Sequence, residues 1–322
     1  MNRRDFIGTV ASSMIAAPSL LRAQPAAPTI GVLWPGSEPP PPPRMESFRL
    51  ALRQLGFVEG QNLAIELRYA RGGLQQLPEL AAELARLKVD VFATFGDLTP
   101  KLAQQAASQT PIIAMSDDIL GARLVSSLSH PERNITGLNI MSQELSAKRL
   151  DVLQEIKPSI RRVTALWDPT TGVSQVTQTE QAAKSLNIEL RVREIHTRDD
   201  VAAAYQAAHD DGADAINIFA SPFLSALYRT MIELSEQYRF PAIYQWKEHV
   251  EAGGLVSFGP NLASLWRQAG TIVAKVLRGA TPSEIPIEQP TKFELAVNAR
   301  TAKGLGIQLP PTILVRADDL FE

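Results

Sequence analysis

The feature that most constrains this chain is a repeated alternation of short strands with helices. Predicted strands, most of them continuously apolar, lie at residues 29–33, 63–69, 89–95, 111–115 and 135–140. Apolar runs of this kind are typical of parallel strands that helices cover on both faces. The first half of the chain therefore predicts an α/β lobe with right-handed crossover connections.

The same order of elements returns in the second half. Predicted strands at 163–167, 189–194, 215–219 and 241–244 again alternate with helices. Two halves with the same order predict an α/β fold of two Rossmann-like lobes with parallel sheets.

Two predicted elements follow the second half of the repeat, a helix at 262–277 and a strand at 293–297. A chain that recrosses the hinge accounts for them and makes the first lobe discontinuous. The predicted boundaries are 28–140 with about 261–288 for the first lobe, and 141–260 with about 290–320 for the second.

Three local predictions concern loops and helix ends. The prolines at 39–43 predict an extended segment before a helix at 45–55. Residues 119–128 are predicted to form a helix that Asp118 caps, and residues 224–238 are predicted to form one continuous helix.

Composition excludes several classes of function. The formal net charge of −2 over 322 residues favours neither nucleic acid nor an anionic membrane surface as a partner. The absence of cysteine excludes disulfides, thiolate metal sites and a cysteine nucleophile. The four histidines are scattered, and no phosphate-binding or nucleophile-elbow motif occurs, so we expect no metal, no cofactor and no enzymatic activity.

The N-terminus resembles an export signal. Arg3 and Arg4 precede a moderately apolar run, and this order resembles a twin-arginine signal spanning residues 1–23, with cleavage near Ala23. The alternative is a short amphipathic helix with a basic start. The first interpretation predicts a periplasmic protein.

Small polar residues follow several predicted strands. These residues are Ser37, Gly96, Ser116 and Ser221. In this position, the unpaired N–H groups at a helix N-terminus can bind an anion. The alternative is an ordinary turn, in which serine and glycine are also common. Ligands of α/β proteins bind at these carboxyl ends of strands.

Two acidic residues and an asparagine add to these candidates. Asp117 and Asp118 follow a buried strand and are candidates for binding a metal, for acid/base chemistry or for accepting an amine. Because Asp118 suits helix capping, Asp117 is the better candidate for the cleft. Asn139, near the predicted hinge, is a further polar candidate, with turn formation as the alternative.

Aromatic residues also follow predicted strands, and they either sandwich a ligand or pack inside a lobe. Tyr244 and Trp246 end one strand, and Phe258 and Gly259 end the next. We favour Trp246 and Phe258 for ligand contact, and we expect Trp266, on a predicted helix, to be core.

Several longer motifs resemble a known family. They are residues 244–261 (YQWKEHVEAGGLVSFGPN), 288–295 (EQPTKFEL) and 302–307 (AKGLGI), with weaker matches at 55–62 (LGFVEGQN) and 133–137 (RNITG). Together they resemble a large family of bacterial ABC-transporter substrate-binding proteins with a type I periplasmic-binding fold. The resemblance implies two lobes joined by three hinge crossings, a ligand in the cleft between them, and no chemistry.

The chain departs from this family in two loops. Where members often carry turns similar to Gly-Thr-Pro and Gly-Asp-Pro, it has residues 96–100 (GDLTP) and 116–118 (SDD). Since we place both loops in the cleft, Asp97 joins the candidate residues, and the ligand is expected to differ from that of relatives.

The favoured function is an exported receptor that delivers an amino-acid-like or aromatic solute to an ABC permease, acting as a monomer. One alternative is a sensor whose closed form contacts a membrane signalling receptor. The other is an exported Rossmann-like enzyme that uses Asp117.

Overall fold

A computed structural model of the chain describes residues 27–36, 38–71, 73–131 and 133–322. The predicted export signal and Ser37 lie outside the described residues. The described chain forms two sheets, each covered by helices, so the predicted α/β fold with two lobes is confirmed. We call the first sheet with its helices the first lobe and the second sheet with its helices the second lobe.

The first sheet has five parallel strands in the order β2-β1-β3-β4-β5. The strands are β1 (Thr29–Trp34), β2 (Ala64–Tyr69), β3 (Val91–Phe95), β4 (Ile112–Ser116) and β5 (Ile135–Asn139). The helices between them are α1 (Pro42–Gln54), α2 (Leu77–Arg86) and α3 (Leu98–Ala106). β1, β3, β4 and β5 are almost wholly buried, as expected of strands with helices on both faces.

The second sheet has seven strands in the order β12-β11-β10-β9-β8-β6-β7. These strands are β6 (Arg162–Trp167), β7 (Glu189–Glu194), β8 (Ala215–Ile218), β9 (Ala242–Tyr244), β10 (Val256–Pro260), β11 (Phe293–Asn298) and β12 (Asp319–Phe321). The remaining helices are α4 (Ser142–Ile156), α5 (Ser174–Ser185), α6 (Arg198–Asp210), α7 (Pro222–Ala226), α8 (Tyr228–Gln237), α9 (Lys247–Glu251), α10 (Leu262–Leu277), α11 (Ala299–Gly304) and α12 (Pro311–Arg316).

The expectation of wholly parallel sheets was wrong at two strands, because β11 and its parallel neighbour β12 run opposite to the rest of the second sheet. β11 runs antiparallel to β10, with Pro260 opposite Phe293. β10 ends where the chain leaves the second sheet, and β11 begins where the chain returns to it. Because β10 runs towards the hinge and its neighbour β11 runs away from it, the two strands are antiparallel.

The chain passes between the two sheets three times. It leaves the first sheet through α4 and returns to it through α10, which packs against α1 through Phe48 and Trp266. The segment after α10 then lies beside β5, where Glu288 forms a parallel bridge with Leu138, before the chain enters β11.

Three local predictions were wrong. α1 begins inside the proline run, at Pro42. Proline has no backbone N–H, but the first turn of a helix does not use that group for an intrahelical hydrogen bond, so proline fits there. Residues 119–128 form turns, since Arg123 has a left-handed φ of 56° and the Asp118 carboxylate accepts a hydrogen bond from the Gly121 N–H at 2.9 Å. The predicted helix at 224–238 is two helices, α7 and α8, separated at Leu227.

Among the described residues, no helix is both long enough and apolar enough to cross a membrane.

Candidate functional site

The carboxyl ends of both sheets meet around a cavity of about 30 Å³ between the lobes. The first-lobe side of this interlobe cavity is mostly apolar and is formed by Trp34, Phe95, Met115, Ile140, Leu262 and Trp266. The second-lobe side mixes polar and apolar groups and is formed by Ser221, Pro222, Ser225, Gln245 and Trp246. Because 30 Å³ is room for about two water molecules, the lobes are closed on each other.

An aromatic cluster forms the apolar wall of the cavity. The Phe95 ring stacks on Trp266 with centroids 4.1 Å apart and 15° between the planes. Trp34 meets Phe95 edge-on at 5.5 Å and Trp266 at 5.8 Å. Trp246 reaches from the second lobe into the same apolar cluster. Trp266, expected to be core only, is therefore both core and cavity wall.

Two contacts close the lobes. Gly96 has φ +79°, and a Cβ atom built there would lie 3.0 Å from Pro222 Cγ, so glycine is required both by the backbone and by the approach of the second lobe. Arg44 donates from Nη2 to Ser225 Oγ at 3.3 Å, and its guanidinium lies 6.0 Å from the centroid of Trp34.

Asp97 organises the acidic loop after β4. Its Oδ1 accepts hydrogen bonds from Ser116 Oγ and from the Asp117 and Asp118 N–H groups, at 2.5, 3.0 and 3.3 Å. Its buried Oδ2 has no hydrogen-bond partner within the part of the chain that the structure describes. Burial, with repulsion from Asp117 adding to it, raises the pKa of Asp97 to about 8, so this carboxyl is largely protonated at neutral pH.

Asp117 lies on the cavity wall and is only 3% exposed. Its Oδ1 accepts a hydrogen bond from Ser142 Oγ at 2.8 Å, whereas Oδ2 has no hydrogen-bond partner among the described residues. Burial raises the pKa of Asp117 to about 6; Asp168 also raises it, while the Ser142 hydrogen bond and the Arg149 charge lower it. At neutral pH the side chain is therefore mainly a buried carboxylate.

A polar stripe on α4 supports this loop. Ser142, Ser146 and Arg149 follow each other at spacings of four and three residues, so they share one helical face. Arg149 is fully buried and donates from Nε to the Phe258 carbonyl at 2.9 Å and from Nη1 to Ser146 Oγ at 3.1 Å. No described residue forms a hydrogen bond with its Nη2. Burial lowers the pKa of Arg149 to about 9, with Asp117 opposing the change, and the guanidinium stays charged at neutral pH.

The loop after β8 is held by capping. Ser221 Oγ accepts from the Phe223 and Leu224 N–H groups at 3.0 and 3.1 Å and donates to Asp168 Oδ2 at 2.6 Å. The hydroxyl thus fixes the loop that carries Pro222 and Ser225 into the cavity.

A serine and a histidine lie together beside the cavity. Ser225 Oγ and His249 Nε2 are 3.3 Å apart, but none of the described residues bonds to His249 Nδ1 to orient the ring. Burial, reinforced by Arg44 and Arg149, lowers the pKa of His249 well below its ordinary value. Among the residues that the structure describes, the third group that orients the base in a hydrolytic triad is therefore missing.

The candidates named from the sequence divide into three groups. Four lie on the cavity wall: Gly96, Asp117, Ser221 and Trp246. Others support it: Asp97 and Ser116 bond each other, Asn139 Oδ1 accepts from the Ile119 N–H at 3.2 Å, and a Cβ on Gly259 would lie 2.2 Å from the Gln245 carbonyl oxygen.

Two aromatic candidates lie away from the cavity. Tyr244 is fully buried in the core of the second lobe, with its hydroxyl near Ser235. The ring of Phe258 packs against Phe293, and only its carbonyl contributes, by accepting from Arg149. Among the described residues, no group of three or more acidic, histidine or cysteine side chains is placed to hold a metal ion.

Sequence reasoning missed Arg44, Arg149 and Gln245. The spacing of Ser142, Ser146 and Arg149 on a predicted helix was a usable signal. Polar side chains that share one face of a partly buried helix need hydrogen-bond partners. Arg44 and Gln245 carry no comparable local signal.

Comparison with known proteins agrees with this architecture. The family described as ABC transporter substrate binding protein matches residues 30–321. A tyrosine-binding protein of Clostridioides difficile is 24% identical over 267 residues, which cover 82% of this chain and 76% of that protein.

Two crystal structures are also similar. A conserved domain protein from Vibrio cholerae is 24% identical with a TM-score of 0.83, and an ABC domain in complex with L-Trp from Streptococcus pneumonia is 20% identical with the same TM-score. Each comparison covers 91% of this chain and 99% of the other.

Proposed function

The chain belongs to the family of ABC transporter substrate-binding proteins, and on that basis we propose that it captures an amino-acid-like or aromatic solute between its lobes and delivers it to an ABC importer. The observation that carries this proposal is the interlobe cavity, whose walls come from both lobes and include the buried Asp117 carboxylate, whose Oδ2 has no partner among the described residues. A group of that kind in a closed cleft is suited to hold a polar ligand.

The proposed mechanism is closure around the solute. Access requires the lobes to part, because about 30 Å³ is too small for a solute of amino-acid size. A ligand that contacts both lobes stabilises the closed form by its differential affinity for that form. The permease then recognises the closed form, and the Arg44–Ser225 and Gly96–Pro222 contacts are where the two forms differ.

Two features support an amino-acid-like or aromatic ligand. The cavity wall is a cluster of aromatic rings, which favours a planar or apolar side chain. The family includes a protein described as tyrosine-binding, and a similar structure holds L-Trp. Of the candidate residues, we propose Gly96, Asp117, Ser221 and Trp246 as ligand contacts.

The paired arginines at the N-terminus support export to the periplasm, where such a receptor meets its solute. We propose the lobe boundaries 28–140 with about 261–288, and 141–260 with about 290–320. The packing of α10 on α1 and of β11 beside β10 supports this division.

A ligand screen tests the proposal. Thermal shift and calorimetry on the purified protein, with amino acids, aromatic acids, sugars and nucleosides, should identify a solute that binds and is not altered. Small-angle scattering should then show a change in lobe separation on binding. Chemical turnover of the bound compound, or the same scattering curve with and without it, would contradict the receptor function. Asp117→Ala further distinguishes a receptor from an enzyme, because the variant of a receptor loses affinity for its ligand whereas the variant of an enzyme loses turnover.

A further inference from the structure

A second cavity lies within the second lobe, away from the cleft. It has a volume of about 390 Å³ and is bounded by the end of α8, the start of β9, the turn between α9 and β10, and α11. Among the described residues that line it, none also lines the interlobe cavity. Its volume falls in the range of sites for small organic ligands, about 300–1,000 Å³, so it has room for a ligand of its own.

Glycines leave this space open. The turn before β10 contains Gly253, at a left-handed φ of +118°, and Gly254. A Cβ atom built on Gly254 would lie 2.7 Å from Cε2 of Tyr244, so a larger residue would push the tyrosine ring off the turn. On the side of α11, a Cβ atom built on Gly304 has no atom within 4 Å. Because all these residues belong to one lobe, the cavity does not depend on closure of the cleft.

The wall of this second cavity is largely apolar. Phe240, Tyr244 and Leu255 line it and are at most 5% exposed. Ile232 and Leu305 line it as well and are half-buried. Removing apolar surface from water is favourable, so this wall suits the apolar body of a ligand.

Two exposed arginines of the second lobe also line the cavity. Arg239, after α8, donates from Nη2 to the Gly304 carbonyl on α11 at 3.2 Å, and Arg300 donates from Nη2 to the main-chain oxygen of Glu322 at 2.5 Å. Within the described part of the chain, neither forms an ion pair with an acidic side chain. One acidic residue, Glu236, lines the same cavity, so two positive charges face one negative charge. This balance favours an anion, and a guanidinium binds a carboxylate through two parallel hydrogen bonds.

We propose that this cavity is a second ligand site, which binds a small monocarboxylate with an apolar body. The carboxylate binds Arg239 and Arg300, and the apolar body lies against Ile232, Phe240 and Leu305. The site is separate from the interlobe cavity, so the protein can hold this acid and its transported solute at the same time.

Methyl-group NMR on the full chain locates the binding. Octanoate and 4-phenylbutyrate are the probes, with 1-octanol and octylamine as analogues of octanoate that lack the negative charge. The Ile232 methyl reports the second cavity, and the Ile140 methyl reports the interlobe cavity. At pH 7.5 octanoate should shift the Ile232 signal to saturation and leave the Ile140 signal in place. It should bind at least about fivefold tighter than octanol or octylamine, as expected for two exposed ion pairs.

Variants assign the charge to its residues. Arg239→Gln and Arg300→Gln should each weaken octanoate binding about two- to threefold, and together at least about fivefold, without changing the affinity for octanol. Arg161→Gln is the matched control, because this exposed arginine of the second lobe also donates to backbone oxygens but does not line the cavity. If the double variant does not fold, the probe series on the unmodified protein still decides.

Three results would overturn the inference. They are an Ile232 signal that neither carboxylate shifts, equal affinity for octanoate and octanol, and a loss in Arg161→Gln as large as in the double variant. The receptor function is tested separately, because its solute should shift the Ile140 signal. A failure to find such a solute would leave the result at Ile232 unaffected.

Discussion

Arg44 on α1 of the first lobe donates a hydrogen bond to Ser225 of the second lobe, and the same serine hydroxyl lies 3.3 Å from His249 Nε2. This chain of contacts spans the cleft beside the aromatic wall. In the mechanism proposed above, opening of the lobes would break this polar contact.

Removal of this contact should shift the protein towards the open form. A hydrogen bond contributes about 0.5–1.5 kcal/mol, so Arg44→Ala should lower the ratio of closed to open protein by about two- to tenfold without ligand. Small-angle scattering would detect the larger radius of gyration. The control is Arg49→Ala on the same helix, which removes only the surface ion pair with Glu59. A radius of gyration that is the same in both variants would contradict the proposed role of Arg44.

Trp246→Ala should weaken ligand binding by more than about tenfold and leave the fold intact, because the indole is held between the lobes. Calorimetry with the best solute from the screen and far-ultraviolet circular dichroism measure the two effects. Trp167→Ala is the matched control, since this buried tryptophan belongs to a second-lobe cluster and bonds the Gly172 carbonyl. If the two variants bind the ligand with equal affinity, Trp246 has only a packing role.

Stability should fall as the pH rises from about 6.5 to about 8. Burial raises the pKa of Asp97 above its unfolded value, so the folded protein binds this proton more tightly, and the resulting stabilisation is lost as the pH rises through about 8. His249, whose pKa is lowered, opposes this trend only below its unfolded value of about 6.5. Urea denaturation should show a loss of up to about 2 kcal/mol over this window.

Asp97→Asn should flatten that pH dependence, because the amide does not titrate. Asp214→Asn serves as the control, since Asp214 precedes β8 at the opposite end of the second sheet and accepts from the Arg161 and Arg162 N–H groups. An unchanged slope in Asp97→Asn would show that another group carries the dependence.

Gly270→Ala should destabilise the first lobe. A Cβ atom on Gly270 would lie 2.7 Å from the Phe48 carbonyl oxygen, so α10 and α1 would have to separate. Overpacking of this kind costs about 1–3 kcal/mol in the free energy of unfolding, measured by urea denaturation. Gly304→Ala on α11 has no atom within 4 Å of the new Cβ and should be neutral or slightly stabilising. Equal effects at the two sites would contradict the close approach of the helices.

Much of the site could be predicted because it lies at strand ends. Gly96, Asp117, Ser221 and Trp246 were named from their position after predicted strands, and the structure places all four on the cavity wall. Tyr244 was named by the same rule but lies in the second-lobe core. The position of a residue after a strand predicts the edge of the sheet at which it lies. The direction in which its side chain points depends on how the sheet packs.

The sequence alone determined the two-lobe α/β architecture, because strand and helix periods and turn residues are local properties of the chain. The family followed from the resemblance of several longer motifs, such as residues 244–261. The tertiary structure decided the antiparallel β11, the turns at 119–128, and the buried charges of Asp117 and Arg149, which come from different elements. Burial, orphaned polar atoms and pKa shifts arise only when distant elements exclude water together.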